Sequence, residues 1–192
     1  MPEQLSLLGD APKPTDRLLF AIVPDVETAA RIENVAHRLR LERGLSGAPL
    51  LMERFHVTLH HIGDYHGLPN GHVEAASRAA AMLAASPFEV TFDRAGSFDS
   101  RTSNHPFVLS SGEGAASLNT FRNGLADAMA RAKVGRKMTA QFTPHVTLLY
   151  DRKCVEPLPI APIRWTVREF VLLHSLLGQT RHIQLGRWSL KD

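Results

Sequence analysis

Apolar positions change their spacing along this chain, and the changes mark its elements. Residues 17–24 (RLLFAIVP) form a nearly unbroken apolar run rich in strand formers. Asp25 follows as a helix N-cap, and Val26, Ala29, Ile32, Ala36 and Leu39 then recur on one helical face. Gly44 supplies the stop. After a loop, residues 55–62 read as a strand. Val73, Ala76, Ala80 and Leu83 give a second buried stripe, predicting a helix over 71–85, and 87–100 alternates as a strand does.

The same plan then runs again. Residues 106–111 (PFVLSS) read as a strand, Gly112-Glu113-Gly114 breaks it, and Leu118, Phe121, Leu125, Ala128 and Ala132 mark an amphipathic helix. A basic, glycine-containing loop leads to a strand over 142–150. Phe20 lies 36 positions before His56, and Val108 lies 37 before His145. Farther on, 87–100 aligns with 162–175, where Phe88, Val90 and Phe92 match Ile163, Trp165 and Val167. The two histidines are 89 positions apart but these segments only 75; the difference is about the length of the helix at 71–85. The chain thus reads as a duplicated β-α-β-β unit with one helix inserted in its first copy. The expected fold class is α+β: one bilobal domain over 17–192, with repeats at about 17–105 and 106–190. Two mainly antiparallel sheets should face a central cleft with helices on their outer faces, behind a flexible tail over 1–16.

Composition narrows the setting. The 192 residues are 44% hydrophobic and 21% charged, enough for a real core and free of any disordered or collagenous bias. A single cysteine, Cys154, excludes an internal disulfide and fits a reducing compartment; its plain reading is a buried, inert thiol. The N-terminus lacks a basic start and a long apolar stretch, and no segment nears the roughly 20 apolar residues of a membrane span. A cytoplasmic monomer without a membrane partner is expected. The formal charge of +3 permits an anionic ligand without demanding one.

The chemistry sits where the two copies coincide. Both predicted strands contain His-Val-Thr-Leu: His56-Val57-Thr58-Leu59 and His145-Val146-Thr147-Leu148. Alternation puts valine and leucine on one face, histidine and threonine on the other. Core packing accounts for the repeated apolar pair but not for the repeated polar one. If the polar faces oppose each other, two imidazoles and two hydroxyls surround one cleft. Such a set suits a phosphodiester. One imidazole activates water and the other protonates the leaving oxygen, while the hydroxyls hold the phosphoryl oxygens. The duplication makes the two histidines look alike; the assignment taken is His145 as base and His56 as acid.

These residues carry a resemblance. The chain resembles the two-histidine (2H) phosphoesterases, and within them the bacterial 2′-5′ RNA ligase, or RNA 2′,3′-cyclic phosphodiesterase, family. The likeness runs from Asp16 to about Leu190 and rests on the two HxTL motifs, Ile62-Gly63-Asp64 after the first and Pro144 before the second. It implies a bilobal fold and a metal-free, cofactor-free hydrolase that opens a 2′,3′-cyclic phosphate at an RNA end to a 2′-phosphate, with weak reversible 2′-5′ joining. His56 and His145 would then be catalytic, and Thr58 and Thr147 would bind phosphate. Many members carry an arginine two residues beyond the second motif. Here that residue is Tyr150, with Arg152 and Lys153 close behind, and strand alternation puts it out of phase with His145 and Thr147. An aromatic there would stack a base or simply pack.

Other features take second place. Tyr150, Arg152 and His60 are candidate substrate contacts, His60 because it shares the parity of His56, whereas His61 falls on the apolar side. His60, His61, His66 and His72 cluster without cysteine partners or a tight helical pair, so no metal site is assigned. His174 and His182 read as structural. Arg131, Lys133, Arg136 and Lys137 form a basic loop that is either solvated or touches RNA backbone. Gln4-Leu5-Ser6-Leu7-Leu8 resembles the short peptide by which bacterial proteins dock on the sliding clamp, or else packs on the protein's own lobe. Competing substrates are small nucleotide cyclic phosphates and 2′-5′ oligonucleotides; an RNA-binding module with inactive histidines is the alternative from another class.

Overall fold

Asp25 caps the first helix as its place in the sequence requires. Its carboxylate accepts from the Thr28 N–H at 2.7 Å and opens α1 (Val26–Glu42), which buries Ala29, Ile32, Ala36 and Leu39. Gly44 follows at φ +58°, the left-handed conformation that ends the helix. The computed structural model describes residues 13–112, 115–135 and 142–191. The tail motif at 4–8, Arg136 and Lys137 lie outside them.

Among the described residues eight strands fill the remaining frame: β1 (Asp16–Ile22), β2 (Val57–Tyr65), β3 (Phe88–Ser97), β4 (His105–Ser110), β5 (His145–Asp151), β6 (Leu158–Val167), β7 (Glu169–Leu176) and β8 (Arg181–Ser189). Two further α-helices, α2 (Asn70–Ala81) and α3 (Ala116–Arg131), and a short 3-10 turn at Met52–Arg54 accompany them. The expected helix over 71–85 stops at Ala81. Leu83 instead folds back to bond the Ala80 carbonyl at 3.1 Å, in the approach to Pro87. Among the described residues, no helix is long and apolar enough to cross a membrane.

The strands form two four-stranded antiparallel sheets, ordered β2-β1-β7-β8 and β5-β4-β3-β6. This is the α+β, two-sheet architecture expected, with strands exchanged between the copies. β7 and β8 complete the sheet begun by β1 and β2, while β3 joins β4, β5 and β6. By place in the sheet the counterpart of β3 is β7. The alignment of 87–100 with 162–175 slips because 162–175 spans the end of β6 and most of β7, and alternation is the same in both. Leu18, Phe20 and Ile22 of β1 pack with the helices in one continuous core, whereas Leu19 and Ala21 face the other way with Val171 and Leu173. Rings from both sheets and α3 stitch that core together: Phe170 lies 5.9 Å from Phe20, 5.1 Å from Phe121 and 5.4 Å from Trp188.

Both motif strands are bulged just after the threonine. In β2, Ala21 faces Thr58 and Phe20 faces His60, so Leu59 has no partner of its own. In β5, Val108 faces Thr147 and Phe107 faces Leu149, which leaves Leu148 over. Each bulge reverses the side-chain phase beyond it. The released carbonyls are met differently. Leu148 O accepts from the Leu50 N–H at 2.7 Å, and Leu59 O from the buried guanidinium of Arg122 at 3.0 Å. Arg122 also lies 4.0 Å over the Phe142 ring, although its helical position reads as apolar. Arg122→Met keeps the stem and removes the donor. We expect a loss of about 1–3 kcal/mol, read as a lower urea midpoint with an unchanged slope.

Candidate active site

Strands β2 and β5 are edge strands of their sheets and approach each other across the cleft. Between them lies a cavity of about 520 Å³. His56, Thr58 and His61 line it from one sheet, His145, Thr147 and Tyr150 from the other. All four residues that alternation places in the cleft are therefore brought together.

The two histidines are held alike. His56 Nδ1–H donates to the Arg54 carbonyl at 2.7 Å, and His145 Nδ1–H to the Thr143 carbonyl at 2.8 Å. Each bond fixes the ring and leaves Nε2 as the nitrogen that can exchange a proton. Each imidazole also meets an aromatic edge at 4.9 Å: His182 of β8 beside His56, and Phe98 beside His145. Burial, helped by the charges of Arg54 and His145, holds His56 below the usual histidine range, against the opposing pull of its bond to the Arg54 carbonyl. Burial, with His56 and Arg54 nearby, pushes His182 down to about 4.

The bulges decide the remaining contacts. Tyr150 is returned to the phase of His145 and Thr147, so it lines the cleft with 47% of its surface exposed. His61 and His60 trade the faces that alternation gives them. His61 lines the cleft and bonds Asp64 through Nε2 at 2.8 Å. His60 turns into the core at 4% exposure, so it is no substrate contact; burial, with Arg122 and His61 close by, lowers it to about 4. Arg152 is exposed and does not line the cleft, because Asp151 ends β5 just before it. Cys154 is exposed rather than buried. The histidine cluster disperses, with His72 against the Tyr65 ring at 5.2 Å.

Three contributors escaped the sequence reading. Arg17 lines the cleft but is bound bidentately to Asp64, at 2.7 and 3.0 Å, which helps to hold that carboxylate at about 2. Arg54 and His182 also line it. Arg54 carried a faint signal, a cation two residues before a motif histidine. His182 carried none, since its place depends on pairing β8 with β7. Asp151 steadies the rim, accepting from the Ser46 and Gly47 N–H groups at 2.6 and 2.7 Å. Gly47 is required there, because a Cβ would lie 2.0 Å from the Tyr150 carbonyl.

The family model of the 2′-5′ RNA ligase superfamily matches residues 24–179, across both motifs. The chain belongs to that superfamily. It is a two-histidine phosphoesterase by fold as well. Escherichia coli LigT in its apo form superposes with a TM-score of 0.71 at 26% identity, covering 94% of this chain and all of LigT. A crystal structure described as a phosphoesterase gives 0.73 at 25% identity, over 94% of this chain and all of its own. TT0787 of Thermus thermophilus gives 0.71 at 22% identity, over 91% and 97%, and shares the fold. No curated protein matches the chain at the level of sequence. Membership in this superfamily supports phosphodiesterase-type activity for the chain.

Proposed function

We propose that this protein hydrolyses the 2′,3′-cyclic phosphate at RNA ends to a 2′-phosphate, and that weak, reversible 2′-5′ joining is the same displacement with a 5′-hydroxyl in place of water. The observation that carries the reading is the matched pair of histidines, each anchored through Nδ1 to a backbone carbonyl, with a threonine beside it on facing edge strands. Escherichia coli LigT has been crystallised with 3′-AMP, ATP, NADP+ and phosphate, and that relative's ligands support a nucleotide phosphate here.

The burial of His56 favours it as the base, the reverse of the assignment taken from sequence. Its Nε2 accepts a proton from water as the water oxygen attacks phosphorus. The bond from phosphorus to the 3′ oxygen breaks on the opposite side, and His145 gives that oxygen its proton. Thr58 and Thr147 hold the two non-bridging oxygens. Tyr150 offers a ring for the terminal base.

Turnover should follow a bell-shaped pH profile. With His56 held below its usual range, the rise on the acid side falls below about pH 6.5 and the activity is lost again when the acid deprotonates. A rise centred above about pH 7 would contradict this assignment. Activity should also survive exhaustive chelation, because no step requires a metal-bound hydroxide. The deciding experiment offers RNA ends, nucleoside 2′,3′-cyclic phosphates and 2′-5′ oligonucleotides to one preparation and identifies the products. No ring-opened 2′-phosphate from any of them would end the reading.

A further inference from the structure

Among the described residues two arginines line the cleft, and they differ in what they have to bind. Arg17 is committed to Asp64 by two hydrogen bonds. Arg54 is not: its Nε and one terminal nitrogen are buried and have no hydrogen-bond partner among the described residues. A guanidinium with buried, unanswered N–H groups is costly unless an anion completes it. Its backbone is fixed, since the Arg54 carbonyl accepts from His56 and its N–H donates to Leu51 O at 2.9 Å. The corresponding place before His145 is Thr143, so the second motif has no such charge at the equivalent position.

We infer that Arg54 binds a second phosphate, the one next to the reacting group, and so makes the cleft select oligonucleotide ends over mononucleotides. This rests on the function proposed above. The two non-bridging oxygens of the reacting phosphate already have Thr58 and Thr147 as donors. Arg54 stands two residues upstream of His56, on the side away from Thr58, and faces the same cavity. A cyclic-phosphate end of a chain carries a further phosphate on its 5′ side, and a nucleoside 2′,3′-cyclic monophosphate carries none. Bidentate guanidinium contact with a phosphodiester supplies the difference.

The test compares wild type, Arg54→Gln and Arg54→Lys on a nucleoside 2′,3′-cyclic monophosphate and on a dinucleotide ending in the same group. Wild type should favour the dinucleotide by about tenfold or more in kcat/KM, the size of one charged hydrogen-bond contact. Arg54→Gln should remove that preference through KM on the dinucleotide, whereas any change in kcat from losing the charge beside His56 should fall equally on both substrates, with the lysine variant between. Equal losses on both substrates, or no loss, would overturn the inference. A binding arm stands apart from turnover: calorimetry with the dinucleotide 2′-phosphate product between about 50 and 200 mM salt. Arg54→Gln should flatten the salt slope by about 0.7, one phosphate contact on a single strand. If wild type turned over neither substrate, the phosphodiesterase reading would fail and this slope would still decide the role of Arg54. An unchanged slope rejects it.

Discussion

His56→Ala and His145→Ala should each reduce cyclic phosphate hydrolysis by about 10²–10⁴, the usual cost of losing a general acid or base. The loss should be of similar size in both, because hydrolysis needs the two proton transfers in one displacement. Their combination should cost little more than either alone, as happens when residues act as a unit. Stability should change little. Neither ring is part of the helix-side core, and each is anchored through Nδ1 to a nearby carbonyl. Initial rates with a cyclic-phosphate dinucleotide, alongside thermal melting, give the answer. Near-normal activity in either folded variant would sink the two-histidine mechanism.

Thr58→Val and Thr147→Val test the second half of the site. Valine matches threonine in shape and keeps the β-branch that suits a strand, so the bulged backbone stays as it is. Only a donor is lost. A donor aimed at growing negative charge contributes about 10²-fold or more in a closed site, and in this open cleft we expect about 10² or less. The fall should be in kcat. A rise in KM alone would mean that the hydroxyls hold the ground state and the transition state equally.

Much of this was legible in the chain. The His-Val-Thr-Leu repeats are short strands with one buried face, and period-2 alternation gives the four cleft-lining residues as far as Thr58 and Thr147. Beyond the threonines it fails. One unpaired residue, Leu59 or Leu148, shifts the phase, sending His60 inward and bringing His61 and Tyr150 out. Nothing local announces either bulge, since leucine is as much at home in a regular strand. The carbonyl of Leu59 is answered by Arg122, 63 positions away on α3, and a cation in an apolar helical stripe has no reading until that partner is known. The strand exchange was hidden for a related reason. β3 and β6 lie side by side in one sheet, and sequence pattern records which faces are apolar but not which strands are neighbours.

That exchange also sets an order of assembly. The sheet holding His145 is built from one continuous stretch, 88–167, whereas the sheet holding His56 joins both ends of the chain, with Asp16 opposite Leu176. Closing short loops costs less entropy than closing long ones, so the first of these sheets should form early and the second late. During synthesis the difference becomes absolute. β1, β2 and His56 are made before β3, β4, β5 and β6 yet lack their neighbours β7 and β8 until after those strands, and His182, which abuts His56, arrives on β8. A released chain truncated before residue 169 should therefore protect the His145 sheet from protease and show no turnover, because β7 and β8 are missing from the other wall.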